Sequence, residues 1–335
     1  MASSTIGQGL AARALLSHHR VRWVEAIPWV IAIAVFFAFP GYRLLATQIL
    51  VLILFALSLD LIVGYSGIVS LGHTAYFGTG AYTAALLASN GWGEPLSGLA
   101  AALVLAALFG LLTGWVVLRT HGLTLLMLTM AATIMLYELA KDLDFITGGF
   151  DGINFENDPI LGLLPFDVVW YSSNYWYALF FLFAFFCLAR IIVHSPFGRA
   201  LIGIRENVSR MHAIGSPVKR RKLTIYVISA GIAGVAGAIW VQIQGNITPA
   251  VYAFELAADV LIMIILGGTG RLYGAFLGVV AFKILENITE TILGTDQPYW
   301  MLTIGIVLIL TVLFARRGLL GIFEDIALAF GRARR

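Results

Sequence analysis

The feature that most constrains this chain is a succession of apolar segments, each about as long as a membrane-spanning helix. A helix needs about 20 apolar residues to cross the hydrocarbon core of a bilayer. The chain is 60% hydrophobic and only 12% charged, whereas soluble proteins carry about 25% charged residues. The pattern predicts an all-α fold, a polytopic membrane helical bundle with about ten transmembrane helices.

The predicted spans follow one another with short connections. They cover residues 24–41, 45–64, 68–89, 96–118, 122–141, 174–193, 223–243, 255–270, 273–291 and 299–315. The third and eighth are rich in glycine and small polar residues, so we expect them to be broken or to cross the membrane only in part. Residues 1–23 are predicted to be an uncleaved cytoplasmic leader, residues 24–317 the transmembrane domain, and residues 318–335 a cytoplasmic tail.

The positive charges fall on one side of this arrangement. With ten alternating spans, all but three of the 21 Lys and Arg residues lie on the same side, the exceptions being Arg43, Lys141 and Lys283. Basic residues concentrate in cytoplasmic loops, so both termini are predicted to be cytoplasmic. Because the charge is spread over several loops, it does not indicate nucleic-acid binding. The single cysteine, Cys187, provides neither a disulfide nor a metal site.

Two halves of the chain resemble each other at a glycine-rich break. Gly64-Tyr65-Ser66-Gly67 leads into a segment with Tyr76, Phe77 and Gly78, and Gly267-Gly268-Thr269-Gly270 leads into a segment with Tyr273, Gly274 and Phe276. Paired breaks in corresponding halves point to the substrate path of a transporter. We therefore predict two pseudo-repeated halves, with the path near both breaks.

Candidates for that path are the polar and glycine residues around the breaks and the ionisable residues within predicted spans. Unwound backbone at membrane depth is tolerated where it lines protein or water, and intramembrane charges usually face the bundle interior. The alternative is that the small residues only permit tight helix packing. The predicted path residues are Asp60, Ser66, Gly67, Ser70, Gly72, His73, Tyr76, Glu138, Asp259, Gly267 and Gly268. Lys283 and Glu286 are predicted to form a local ion pair.

Two loops are long enough to do more than connect spans. The cytoplasmic loop from His194 to Lys222 is predicted to form a turn of helix over Arg199–Gly203 and a second, amphipathic helix over Arg205–Ile214. Gly215 followed by Pro217 stops the second helix, and a short helix of this kind suits docking onto a partner. Alternatively its basic residues anchor the chain at anionic lipid headgroups, the role we assign to Lys219–Lys222. The acidic outer loop from Thr147 to Asp167 either contacts a delivery protein, shapes the entrance, or is simply solvated.

Motifs of ATP hydrolysis and of common hydrolases are absent from the sequence. No lysine follows a glycine anywhere in it, so no GxxxxGK[ST] phosphate loop exists. HExxH and GxSxG are missing as well. We therefore interpret the chain as a transporter component without catalytic residues or a metal site.

Six blocks, in this order, carry a resemblance to a known family. They are GYSGIVSLGHTAYFGTGAY, ITGGFDGI, SPFGRALIGIRENVSRMHAIG, ISAGIAGVAGAI, ILGGTGRLYGAFLG and LFARRGLLG. With these blocks the chain resembles the branched-chain amino acid ABC transporter permeases of the LivM type from about Pro28 to Gly321. The resemblance implies a multi-pass subunit of an importer in the bacterial inner membrane, surrounded by lipid.

The same resemblance implies partners and an energy source on other chains. These are a second permease of the LivH type, two cytoplasmic ATPase subunits that hold ATP and Mg, and a periplasmic substrate-binding protein. It also implies that the ATPase-facing coupling region contains Arg205, Glu206, Asn207, Ala213 and Gly215.

The solute stays open at this point. The family includes permeases for branched-chain and other amino acids, and also for urea, short amides and aromatic acids. Asp60 stands where the family commonly has asparagine, which bears on the solute. An ion-coupled secondary transporter is the principal alternative outside the family.

Overall fold

The computed structural model describes residues 26–159 and 172–293, together with positions 302, 305, 306, 309 and 318–321. The chain divides after Arg43 into two units. In the first, helix α1 (Ile27–Ala38) precedes a 3-10 turn at Pro40–Tyr42. The Arg43 guanidinium lies 4.6 Å from the centre of the Phe36 ring. The predicted leader, residues 1–23, lies outside the described residues.

The second unit is almost entirely helical where the structure describes it. Its helices are α2 (Arg43–Ser66), α3 (His73–Ser89), α4 (Pro95–Val117), α5 (Leu123–Asp142), α6 (Asp144–Thr147), α7 (Ser172–His194), α8 (Pro196–Glu206), α9 (Val208–Ala213), α10 (Val218–Gln244), α11 (Phe254–Gly267) and α12 (Leu272–Leu293). A 3-10 turn at Pro249–Tyr252 precedes α11. Two short strands, β1 (Ile153–Asn154) and β2 (Asn246–Ile247), pair antiparallel.

Six helices in the described part of the chain are long and apolar enough to cross a membrane. They are Pro40–Ser66, which joins the 3-10 turn to α2, then α4, α5, α10, the Ser173–His194 part of α7 and the Leu272–Thr289 part of α12. Helices α3 and α11 have 17 and 14 residues, about 26 and 21 Å at 1.5 Å per residue, and these are the third and eighth predicted spans. The predicted tenth span, 299–315, falls almost wholly outside the described residues. The prediction of a multi-pass helical bundle is confirmed.

The helices differ in how far they are enclosed by the chain itself. In the apolar stretch of 18 residues within α2, and in that within α10, 78% of the residues are buried, whereas in that of α5 22% are buried. Helix α10 packs against both α3 and α4, and its glycines and alanines permit close helix approach. Large apolar side chains such as Leu112 and Leu123 remain exposed, as expected where lipid is the solvent.

Contacts between loops define two ends of the bundle. At one end Asn157 Nδ2 donates to the Gln242 carbonyl oxygen at 2.7 Å, and the Gly93 carbonyl accepts from the Asp158 N–H at 2.9 Å. The opposite end gathers the two glycine breaks and the loop that contains α8 and α9. This grouping agrees with the alternation of loops that the charge distribution predicts.

The long loop after α7 forms two helices, as predicted, but their boundary differs from the prediction. The first was expected to end near Gly203, and it continues to Glu206. Asn207 adopts an extended conformation, and its side chain caps α9 by accepting a hydrogen bond from the Arg210 N–H at 2.9 Å. A capping side chain of this type starts a new helix. Gly215, at φ 77°, follows α9, close to the predicted stop.

Candidate functional site

The two glycine breaks, which are far apart in sequence, meet at one place in the structure. Asp60 Oδ1, on α2, accepts a hydrogen bond from the Gly270 N–H at 2.8 Å. Gly270 lies in the connection between α11 and α12, and Asp60 lies four residues before Gly64. The name glycine junction is used below for the cluster formed by Asp60, Gly64, Gly67, Gly270 and Arg205.

Close backbone approach explains why glycines occupy the junction. A Cβ atom on Gly64 would collide with Asp60 Oδ1 and with the backbone of Gly270. A Cβ atom on Gly270 would lie 3.0 Å from the Gly64 carbonyl oxygen, and Gly270 has φ 76°. Real Cβ atoms essentially never come as close as one on Gly64 would, and the positive φ of Gly270 disfavours any other residue there. The segments therefore pack this tightly only because neither residue has a side chain.

Arg205 extends from the end of α8 into the glycine junction. Its Nη1 donates a hydrogen bond to the Gly64 carbonyl oxygen. The same nitrogen would lie 2.9 Å from a Cβ atom on Gly270, and Arg205 Cγ would lie 2.9 Å from one on Gly67. One side chain therefore touches both breaks.

A second polar group lies deeper, between α2, α3 and α10. His73 Nε2 lies 2.9 Å from Ser58 Oγ and 3.3 Å from Ser229 Oγ, and the imidazole stacks on Phe55. Ser229 Oγ in turn donates to the Ser58 carbonyl oxygen at 2.5 Å. His73, Ser58 and Ser229 are each at most 1% exposed. In this conformation the group joins three helices and has no access to solvent.

Tyr76 continues this polar group towards α4. Its hydroxyl donates to the Tyr226 hydroxyl at 2.8 Å and lies 2.7 Å from Thr113 Oγ1. Ser70 Oγ accepts from the Gly72 N–H at 3.2 Å. The rings of His73 and Tyr76 meet edge-on with their centroids 5.6 Å apart, so these two predicted path residues lie side by side within the bundle.

Four other predicted path residues lie at or beside the breaks. Ser66, the last residue of α2, donates to the Ile62 carbonyl at 2.7 Å, which leaves its hydroxyl engaged within its own helix. A Cβ atom on Gly72 would collide with the Thr129 carbonyl oxygen of α5. Gly267 packs against Gly274, and Gly268 packs against Gly318. These glycines serve close packing in this conformation, which is the alternative that the sequence left open.

Glu138 and Asp259 lie apart from the glycine junction and from the polar group. Glu138 is exposed on α5 and forms an ion pair with Lys141 at 3.2 Å. Asp259, on α11, is half-buried and close to Lys283 and Glu286 of α12. Lys283 and Glu286 form the predicted ion pair at 2.5 Å. Among the described residues, no three His, Cys, Asp or Glu side chains are grouped as metal ligands would be.

The predicted coupling residues separate into two kinds. Glu206, Asn207, Ala213 and Gly215 are exposed at the end of the bundle, and a Cβ atom on Gly215 would meet nothing within 4 Å. Arg205 is exposed at this end as well, but its guanidinium also donates a hydrogen bond inward to Gly64. The other four residues therefore form an accessible surface, and Arg205 connects that surface to the glycine junction.

A cavity of about 360 Å³ opens at the same end. It is lined by Gly67–Val69, by residues between Leu118 and Leu126, and by Lys222. Of the predicted path residues, Gly67 lines it. The first glycine break therefore borders both the Arg205 contact and this opening.

Several residues of these sites were not predicted from the sequence. They are Ser58, Thr113, Tyr226, Ser229 and Gly270. Tyr226 and Ser229 are three apart on α10, so they share a helix face, and that spacing is a signal available in the sequence. Ser58 and Thr113 are isolated hydroxyls in apolar runs, where the sequence offers no comparable signal.

Residues 42–312 match the model of a family described as "Branched-chain amino acid transport system / permease component". The chain belongs to this permease family. The match includes both glycine breaks, the polar group and the loop of α8 and α9, which places every predicted site residue inside the family's region. The resemblance that the six sequence blocks carry is confirmed.

Individual relatives agree with this assignment. The permease is 30% identical over 344 residues to "High-affinity branched-chain amino acid transport system permease protein LivM" of Escherichia coli K12, an alignment that covers 95% of this chain and 76% of the relative. A "Probable branched-chain amino acid transport permease protein LivM" of Methanocaldococcus jannaschii is 25% identical over 264 residues. That alignment covers 70% of this chain and 71% of the relative. No solved structure shows a significant match.

A shorter match connects the permease to a second kind of protein. "High-affinity branched-chain amino acid transport system permease protein LivH" of Escherichia coli K12 is 30% identical over 138 residues, 41% of this chain and 44% of the relative. LivM and LivH relatives therefore both carry sequence similar to part of this permease.

Proposed function

We propose that the chain is the transmembrane permease subunit of an ATP-driven importer of branched-chain amino acids. The observation that carries the proposal is the match to a LivM permease over 95% of the chain. Supporting it, the exposed residues of α8 and α9 lie at the same end as both glycine breaks. This is where a cytoplasmic motor subunit would have to act to move the broken helices.

The proposed complex contains this chain, a related second permease, two cytoplasmic ATPase subunits that bind ATP and Mg, and a periplasmic substrate-binding protein. It lies in the bacterial inner membrane with both termini of this chain in the cytoplasm, in line with the positive-inside distribution. ATP hydrolysis is assigned to the partners, because the sequence has no phosphate-binding loop.

In the proposed cycle the binding protein captures the solute and delivers it at the outer end. ATP binding draws the ATPases together and shifts the surface formed by Glu206, Asn207, Ala213 and Gly215. The helices that end at the glycine breaks then tilt and open the path to the other side. The buried polar group around His73 and Tyr76 is the region where we expect that path to form when the helices separate.

Uptake into proteoliposomes tests the proposal. The chain is co-expressed with the second permease, the ATPases and the binding protein encoded beside it, and leucine, urea and benzoate are offered with and without internal ATP. Leucine uptake that requires both ATP and the binding protein is the expected result. Uptake of urea or benzoate instead would overturn the solute assignment, and uptake by this chain alone on an ion gradient would overturn the importer assignment.

A further inference from the structure

Arg205 is exposed like the other predicted coupling residues, but it differs from them because its guanidinium is hydrogen-bonded to Gly64 of α2. It lies at the end of α8, whose Leu201 and Ile204 are buried and which contacts α10. Its neighbour Glu206 is exposed and begins the accessible surface. A displacement of that surface therefore moves Arg205 directly.

The guanidinium of Arg205 holds segments from both halves of the chain. It donates to the Gly64 carbonyl oxygen and lies against Gly270. Gly270 is itself bound to Asp60. A planar guanidinium presents five N–H donors in a fixed fork, so it can bind more than one acceptor across this contact.

Asp60 is 1% exposed, and its Oδ1 accepts a hydrogen bond from the Gly270 N–H. An outward movement of α8 would draw the Arg205 guanidinium away from Gly64 and so loosen the contact between the two breaks.

We propose that Arg205 is a positioning residue that clasps the two glycine breaks together and transmits movement of the ATPase-facing surface to them. The proposal rests on the proposed importer function for its transport readout. It assigns to Arg205 a role different from that of the exposed residues beside it, which would contact the ATPase.

The test compares Arg205→Ala with Arg210→Ala, which removes a like charge from the exposed part of the same loop. Three quantities are measured on the purified complex: co-purification of the ATPases, leucine uptake per ATP hydrolysed, and hydrogen exchange of peptides covering residues 62–70 and 264–272. For Arg205→Ala we expect intact co-purification, faster exchange in both peptides, and uptake per ATP lowered about tenfold, within the ordinary range of coupling free energies. Arg210→Ala, on the exposed surface of α9, should leave the exchange of both peptides unchanged.

Arg205→Lys keeps the charge but places its N–H donors on a single nitrogen instead of a planar fork, and it provides the decisive comparison if the alanine variant does not fold. It should show a partial loss of uptake per ATP and faster exchange of the 264–272 peptide. Loss of ATPase co-purification with unchanged exchange would make Arg205 a docking residue and overturn the proposal, as would wild-type behaviour of both variants. If the wild-type complex shows no ATP-dependent uptake, the importer function fails instead, and the exchange measurement still decides whether Arg205 clasps the breaks.

Discussion

Asp60 and Gly270 lie 210 residues apart in sequence, and the carboxylate of the first accepts a hydrogen bond from the backbone N–H of the second at 2.8 Å. Gly270 lies between α11 and α12 with φ 76°, so its N–H is not part of the hydrogen bonding of either helix. A buried N–H of this kind requires a partner. Asp60 supplies it from the other half of the chain, which stabilises the second break.

The first prediction separates the acceptor function of Asp60 from its charge. Asp60→Asn retains an oxygen that can accept from the Gly270 N–H, so we expect near wild-type stability and uptake. Asp60→Leu leaves the Gly270 N–H unpaired and should lower the free energy of unfolding by about 1–3 kcal/mol. Unfolding in detergent and leucine uptake measure the two effects. If the asparagine variant were as damaged as the leucine variant, the charge rather than the acceptor would be what matters.

The second prediction concerns the packing of α10. A Cβ atom on Gly234 would collide with Ala106 on α4, whereas one on Gly231 would meet its nearest neighbours at 3.5 Å, an ordinary contact. Gly234→Ala should therefore lower the free energy of unfolding by about 1–3 kcal/mol through overpacking. Gly231→Ala, three residues earlier on the same helix, should be neutral or stabilising because alanine favours helix. Equal melting temperatures for the two variants would contradict the close α4–α10 contact.

The third prediction concerns the two buried tyrosines Tyr76 and Tyr226. Their hydroxyls are 2.8 Å apart, so removal of either one breaks the same hydrogen bond. Each single change to Phe should lower the free energy of unfolding by about 1 kcal/mol, and the double variant should lose less than the sum of the two. Tyr42→Phe, at an exposed position, is the control and should have no effect. Strict additivity in the double-mutant cycle would show that the two hydroxyls do not interact.

The fourth prediction tests the exposed part of the coupling region. Ala213 ends α9 with its side chain in solvent, so Ala213→Trp leaves the interior of the chain unchanged and alters only the surface offered to a partner. We expect wild-type thermal stability of this subunit, with loss of ATPase co-purification or of ATP-coupled uptake. Lys219→Trp adds the same bulk at an exposed position outside this surface and should leave both unchanged. Normal co-purification and uptake in Ala213→Trp would exclude Ala213 from the docking surface.

The loop before α10 shows how far local reasoning extends. Ser195 and Pro196 start α8, where the serine side chain accepts from the Gly198 N–H at 3.2 Å, and Gly215 follows α9, close to the predicted stop. The stop at Gly215 depends on residues a few positions apart, which is why it was predictable, whereas the first helix starts three residues before the predicted Arg199. The boundary at Asn207 was missed because a short polar side chain caps a helix only when its own backbone is extended.

Asp60 and Arg205 show where such reasoning ends. Both were selected from the sequence, Asp60 as an intramembrane carboxylate and Arg205 as part of a cytoplasmic loop that resembles a coupling region. Nothing in the sequence indicates that they meet at Gly270. Their association depends on the rotation and depth of α2, α8, α11 and α12 relative to one another.

The sequence by itself determined that the chain is a helical membrane protein, where most of its helices begin and end, where two of them break, and to which family it belongs. Hydropathy, capping residues and glycines act over a few neighbouring positions, so they can be recognised along the chain. Only the tertiary structure decided that the two breaks share one junction under Arg205, and that His73 and Tyr76 find their partners on α2, α4 and α10. Those contacts join residues from 15 to 210 positions apart, and they form because buried polar groups must be paired by whichever helices pack against them.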